Sequence, residues 1–134
     1  MDDVILNKIA IIERCLERIS EEYQNDEDGL RQNYTKQDSV ILNLQRLCEA
    51  SIDIANRKLR LLDAPVPQSS RDAFEQLYRL QIISESISES MQKMVGLRNI
   101  AVHDYQNLNM DIVIAVLNNH LQEFKHFVQS VLKN

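Results

Sequence analysis

The sequence predicts an all-α fold: an antiparallel helical bundle of four long helices and one short one. Three observations support this. Glycine and proline occur only twice each in 134 residues, too few to punctuate an all-β chain. Apolar residues recur at three- and four-residue spacings along most of the chain. Hydrophobic residues make up 44% and charged residues 26%, the balance of an ordinary water-soluble globule. Residues 1–134 are expected to form one domain. A chain of this length buries roughly two thirds of its unfolded surface and needs no disulfide.

The first helix is expected over about residues 3–24. Ile5, Ile9, Ile12, Leu16, Ile19 and Tyr23 alternate spacings of four and three, which makes a narrow apolar seam. Asn25-Asp26-Glu27-Asp28-Gly29 ends it, and a polar loop runs to Tyr34. Thr35 is placed to cap a second helix, with Asp38 where a carboxylate favours a helix N-terminus. Val40, Ile41, Leu44, Leu47, Cys48, Ile52, Ile54, Ala55, Leu59, Leu61 and Leu62 give that helix a wide apolar face, suited to lying between two neighbours. Ala64-Pro65-Val66-Pro67 stops it. Ser69 or Ser70 caps a short third helix carrying Ala73, Phe74, Leu77 and Leu80. Ser84 starts the fourth, whose stripe is Ile87, Met91, Met94, Arg98 and Ala101. After a polar break at Gln106-Asn107, Asn109 caps a fifth helix lined by Val113, Leu117, His120, Phe124, Phe127 and Val131.

Net charge is −5. Residues 1–35 account for all of it, so the acidity is assigned to the first helix and its loop, and the remainder is free to form a local basic surface. An acidic total argues against a general nucleic-acid coat protein but not against an enzyme with a small phosphate site. No apolar run approaches the ~18 residues of a membrane span, and the N-terminus lacks a signal pattern. The expected compartment is therefore the cytoplasm, and Cys15 and Cys48, both beside apolar residues, are expected as buried thiols.

Functional chemistry concentrates in Arg98-Asn99-Ile100-Ala101-Val102-His103-Asp104-Tyr105. Arg98 occupies a position where the stripe asks for an apolar residue. A buried guanidinium must meet an anion, because an unpaired charge there costs several kcal/mol. One reading is a structural salt bridge to Asp53 or Asp104. The other is a phosphate site, since arginine offers phosphate a two-pronged donor. His103 follows five residues later, about 140° around a straight helix. The two side chains share a pocket only if the helix bends or ends near Val102, or if a second subunit supplies one of them. An imidazole beside Arg and Asn at a helix end is a candidate proton-transfer group. A structural histidine and a hydrogen-bonded packing tyrosine are the plainer readings of His103 and Tyr105.

Other candidates are weaker. His120 is in register with the apolar stripe, so it reads as a satisfied core or interface residue, and His126 as exposed. Gly96 is explained by close helix packing. There is no HExxH motif, no CxxC pair and no glycine-rich phosphate loop. No metal site and no cofactor are expected.

The string RN-X3-HDY at a helix end resembles the RX4HXY signature of the HepT-like proteins, a branch of the HEPN superfamily. Leu42-Asn43-Leu44-Gln45-Arg46, Ala50-Ser51-Ile52-Asp53-Ile54-Ala55-Asn56, Phe74-Glu75-Gln76-Leu77 and Met94-Val95-Gly96-Leu97 follow the family's order, so the resemblance covers most of the chain. It implies a helical bundle that forms a homodimer, with two motifs meeting in one cleft. It further implies a metal-independent endoribonuclease acting on tRNA or mRNA, as the toxin of a type VII toxin–antitoxin system. Arg98 and His103 would be catalytic, with Asn99 and Asp104 supporting. The implied antitoxin is a minimal nucleotidyltransferase that moves AMP from ATP onto Tyr105. Neither DNA nor a membrane is an implied partner.

Elementary chemistry agrees with that implication. Metal-free RNA cleavage needs a base for the ribose 2′-hydroxyl, an acid for the leaving oxygen and a cation for the phosphorane. One motif histidine per chain cannot be both acid and base at once, but a two-fold dimer supplies two. The rival readings are a non-catalytic module that binds nucleotides or substrates and a bundle that only dimerises.

Overall fold

The structure is a computed structural model and describes residues 2–133. Its elements are α1 (Asp3–Tyr23), α2 (Glu27–Gln32), α3 (Tyr34–Leu61), α4 (Ser70–Arg79), α5 (Glu85–His103), a 3-10 turn (Tyr105–Asn107), α6 (Met110–Asn119) and α7 (Gln122–Lys133). The all-α bundle is as expected, with a larger number of helices. Among the described residues no helix is long and apolar enough to cross a membrane.

Helix starts follow local chemistry. Asp2, Asp26, Asn33, Ser69, Ser84 and Asn109 each accept a hydrogen bond from a backbone N–H of the first turn. Such a cap contributes about 1 kcal/mol. Ser69, Ser84 and Asn109 match expectation. Thr35 does not cap α3; Asn33 does, accepting from the Lys36 N–H at 3.1 Å, because the helix already begins at Tyr34 and Thr35 lies within its first turn. The expected polar loop before it contains α2, pinned to the core by Leu30. Gly29 lies within this helix, where a Cβ would come 2.2 Å from Asp26 Oδ2. A side chain at position 29 would therefore force the capping carboxylate of Asp26 to shift.

Helix α3 is the central element and packs against α1, α4 and α5. That accounts for its wide apolar face, although Leu61 and Leu62 at its end are exposed. Ion pairs Asp2–Arg57 (2.8 Å) and Lys8–Asp53 (2.9 Å) set α1 antiparallel to α3. Ser88 Oγ donates to the Phe74 carbonyl at 3.2 Å and ties α5 to α4. The expected fifth helix is two helices, broken at His120 and Leu121. Phe124 and Phe127 of α7 are fully buried, and Phe127 meets Phe74 edge to face at 5.5 Å. Cys15 and Cys48 are buried free thiols. Burial pushes Cys48 up to about 12 and raises Cys15 as well.

Candidate active site

The motif spans the end of α5 and the turn after it. Helix α5 runs unbroken through Arg98, Asn99 and His103, its last helical residue. Gly96, just upstream, faces α4, where a Cβ would meet only the flexible end of Arg71 at 2.8 Å; no backbone approaches it, so the expected close helix packing does not account for this glycine.

Arg98 is half-buried. Its Nε is 3.5 Å from Glu49 Oε2 on α3, and its Nη1 donates to Asn99 Oδ1 at 3.0 Å. Neither expected partner is used: Asp53 pairs with Lys8, and Asp104 accepts from Asn107 Nδ2 at 2.9 and 3.0 Å. The Glu49 contact is an ion pair without hydrogen-bond geometry. The buried Nε has no hydrogen-bond partner among the described residues. A guanidinium left short of a donor's partner is held loosely for a structural arginine, because buried polar groups are normally satisfied.

His103 is exposed, and its ring makes no hydrogen bond among the described residues. Because α5 continues as regular helix through His103, the turn of about 140° from Arg98 persists. One chain therefore does not bring the two together. Asp104 is the C-cap residue, and its N–H donates to the Ile100 carbonyl at 2.8 Å. Its carboxylate is spent on Asn107, so it stabilises the helix end and leaves the imidazole free.

Tyr105 begins the 3-10 turn, 43% exposed, with its hydroxyl donating to Asp38 Oδ1 on α3. Burial, then the bond to Asp38 and its negative charge, pushes the phenol up to about 12. Asp38 and Glu49 are eleven residues apart on one helix, about three turns and about 16 Å, so they share a face. Through them α3 holds both ends of the motif. Neither was singled out from sequence; Asp38 had read only as a charge suited to a helix start. His120 is half-buried, with Nδ1 3.1 Å from Glu123 Oε1, and His126 is exposed.

The Ribonuclease HepT-like family profile matches residues 12–131. The chain belongs to that family. Among HepT relatives, an mRNA nuclease HepT from Shewanella oneidensis is 53% identical over 131 residues, 98% of each chain. A tRNA nuclease HepT from Aphanizomenon flos-aquae is 23% identical over 96% of this chain and 87% of that one. A solved structure of a tri-AMPylated Shewanella oneidensis HEPN toxin in complex with an MNT antitoxin is 51% identical. It covers the whole of both chains with a TM-score of 0.95. A toxin–antitoxin crystal structure with AMP-PNP is 52% identical over 98% and 99% of the two chains, with a TM-score of 0.93.

Proposed function

We propose that this chain is a toxin: a metal-independent endoribonuclease that cleaves RNA at a site shared between two copies. A nucleotidyltransferase antitoxin silences it by placing AMP on Tyr105. Residues 1–134 act as one HEPN domain. Membership of the HepT family, with relatives described as mRNA and tRNA nucleases and a relative found AMPylated beside its antitoxin, supports this reading.

The observation that carries it in this chain is the state of Arg98. Its guanidinium is half-buried beside one carboxylate at 3.5 Å, with its Nε unsatisfied. A phosphate can compete for such a group. Arg98 would stabilise the extra charge of the phosphorane, and His103 would move the proton of the ribose 2′-hydroxyl. Because Arg98 and His103 diverge on one α5, the second copy supplies the complementary pair, one imidazole as base and the other as acid. Asn99 holds the guanidinium in place through Nη1. AMP on Tyr105 adds a bulky base and a phosphodiester charge at the exposed end of the motif, where it would obstruct and repel an RNA strand entering the shared cleft.

The test is cleavage of RNA with a chelator present, together with sedimentation of the free chain. Cleavage that persists, products ending in a 2′,3′-cyclic phosphate and a dimer are expected. A strict requirement for Mg²⁺ would refute the metal-free route, and a monomer with full activity would refute the shared site.

A further inference from the structure

A groove of about 360 Å³ runs between α1 and α3, lined by Lys8, Arg14 and Arg18 from one side and Arg46, Glu49 and Asp53 from the other. Its acids are already engaged, Asp53 by Lys8 and Glu49 by Arg98. Arg14, Arg18 and Arg46 have no ion-pair partner among the described residues, which leaves three guanidinium charges unanswered in one concavity. All three are exposed and line the same concavity, together with the buried Cys15. Arg14 and Arg18 are set in the most acidic part of the sequence, and Arg46 lies across from them on α3. Helix α1 separates its charges, with Arg14 and Arg18 one turn apart toward α3. The acidity of residues 1–35 had pointed to a basic surface elsewhere; the first helix supplies two of its three arginines.

The groove also has a direction. Glu49 lines it and contacts Arg98, so its α3 wall ends at the motif. We propose that the Arg14–Arg18–Arg46 groove binds the sugar–phosphate backbone of single-stranded RNA and leads the strand past Glu49 to Arg98. This rests on the nuclease reading above. A flexible chain with one charge per residue suits a concave run of guanidiniums, and contacts to phosphate position a strand without reading its sequence. An arriving phosphate also displaces Glu49 from Arg98, exchanging a loose ion pair for substrate.

The experiment combines Arg14→Gln, Arg18→Gln and Arg46→Gln, with the single reversal Arg18→Glu as a second variant at one exposed site. The substrates are an unstructured RNA of about 20 nucleotides, longer than the about 4–16 that a strand-binding groove covers, and a dinucleoside monophosphate. For the long RNA, KM is expected to rise tenfold or more while kcat holds. The short substrate should be cut as by the parent chain. Loss of three phosphate contacts should also flatten the dependence of log affinity on log salt by about 2, at about 0.7 per contact. Unchanged KM and salt slope would overturn the groove, as would loss of antitoxin binding with RNA affinity intact. Equal loss on both substrates would overturn it too. If the parent chain cuts no RNA, the nuclease reading fails, and fluorescence anisotropy of the long RNA still judges the groove alone.

Discussion

Replacing Arg98 separates a structural arginine from a catalytic one, because the two roles predict energies of different size. The Arg98–Glu49 contact is 3.5 Å long, with side chains 27% and 38% exposed. At an effective dielectric of about 20, the gross attraction at that distance is about 5 kcal/mol. Desolvation and the ordering of two long side chains cancel most of it, and pairs this exposed retain about 0.2–1 kcal/mol. Arg98→Ala is therefore expected to lower Tm by only a few degrees, at about 2–8 °C per kcal/mol for domains around this size. Loss of a donor to the phosphorane should cost about 10²–10³ in rate, or about 2.7–4 kcal/mol. Far-UV circular dichroism on heating gives the first number, and RNA cleavage with a chelator gives the second. Glu49→Gln is the control. It removes the same ion pair but leaves the cation, so it should match Arg98→Ala in stability and cleave at or above the parent rate. A fall in Tm of about 10 °C or more in Arg98→Ala, with activity following only the folded fraction, would refute the argument. So would undiminished cleavage.

His103 is exposed, so His103→Ala should change stability by no more than about 0.5 kcal/mol, yet cut cleavage by about 10²–10⁴; a parent-like rate would remove it from the chemistry. Asp38→Asn should bring the Tyr105 phenol down from about 12 toward its usual value, measured by phenolate absorbance with Tyr105→Phe subtracted. With the folded value above the unfolded one, Tyr105 lends stability that is complete below pH ~10 and lost as pH rises toward about 12, so the variant, with its folded value nearer the unfolded one, should lose less stability over that range; an unmoved titration would contradict the Asp38 contact. Cys15 and Cys48, buried with raised thiols, should resist a disulfide reagent at neutral pH until the chain is denatured. Rapid labelling of the native protein would contradict their burial.

What the sequence made legible was local. The caps at Ser69, Ser84 and Asn109 follow from a side chain and the N–H groups two or three residues on, and the α1 seam from spacing alone. The short α2 escaped because only Leu30 anchors it. The break between α6 and α7 escaped because Leu117 and Phe124, seven residues apart, keep the stripe in phase across it, with no Gly or Pro between them. The residues of the motif were legible as a cluster, since a guanidinium on an apolar stripe is conspicuous. Their partners were not. Glu49 in place of Asp53 or Asp104, and Asp38 for Tyr105, are choices made by how α3 lies against α5. The basic groove was hidden for the same reason, since charges summed along a sequence do not report which face of a helix they occupy.

The eleven-residue interval from Asp38 to Glu49 behaves like a reading frame written into a helix. Inserting or deleting a single residue between them turns one carboxylate about 100° relative to the other. Either the phenol or the guanidinium would then lose its counterpart, whatever the inserted residue is. Substitutions on the outer side of this stretch leave that phase intact. The segment between α3 and α4, residues 62–69, lies outside the interval and can lengthen without touching it. Length changes in this chain are thus sorted by position: silent in one stretch, and disruptive to two functional groups at once in the other.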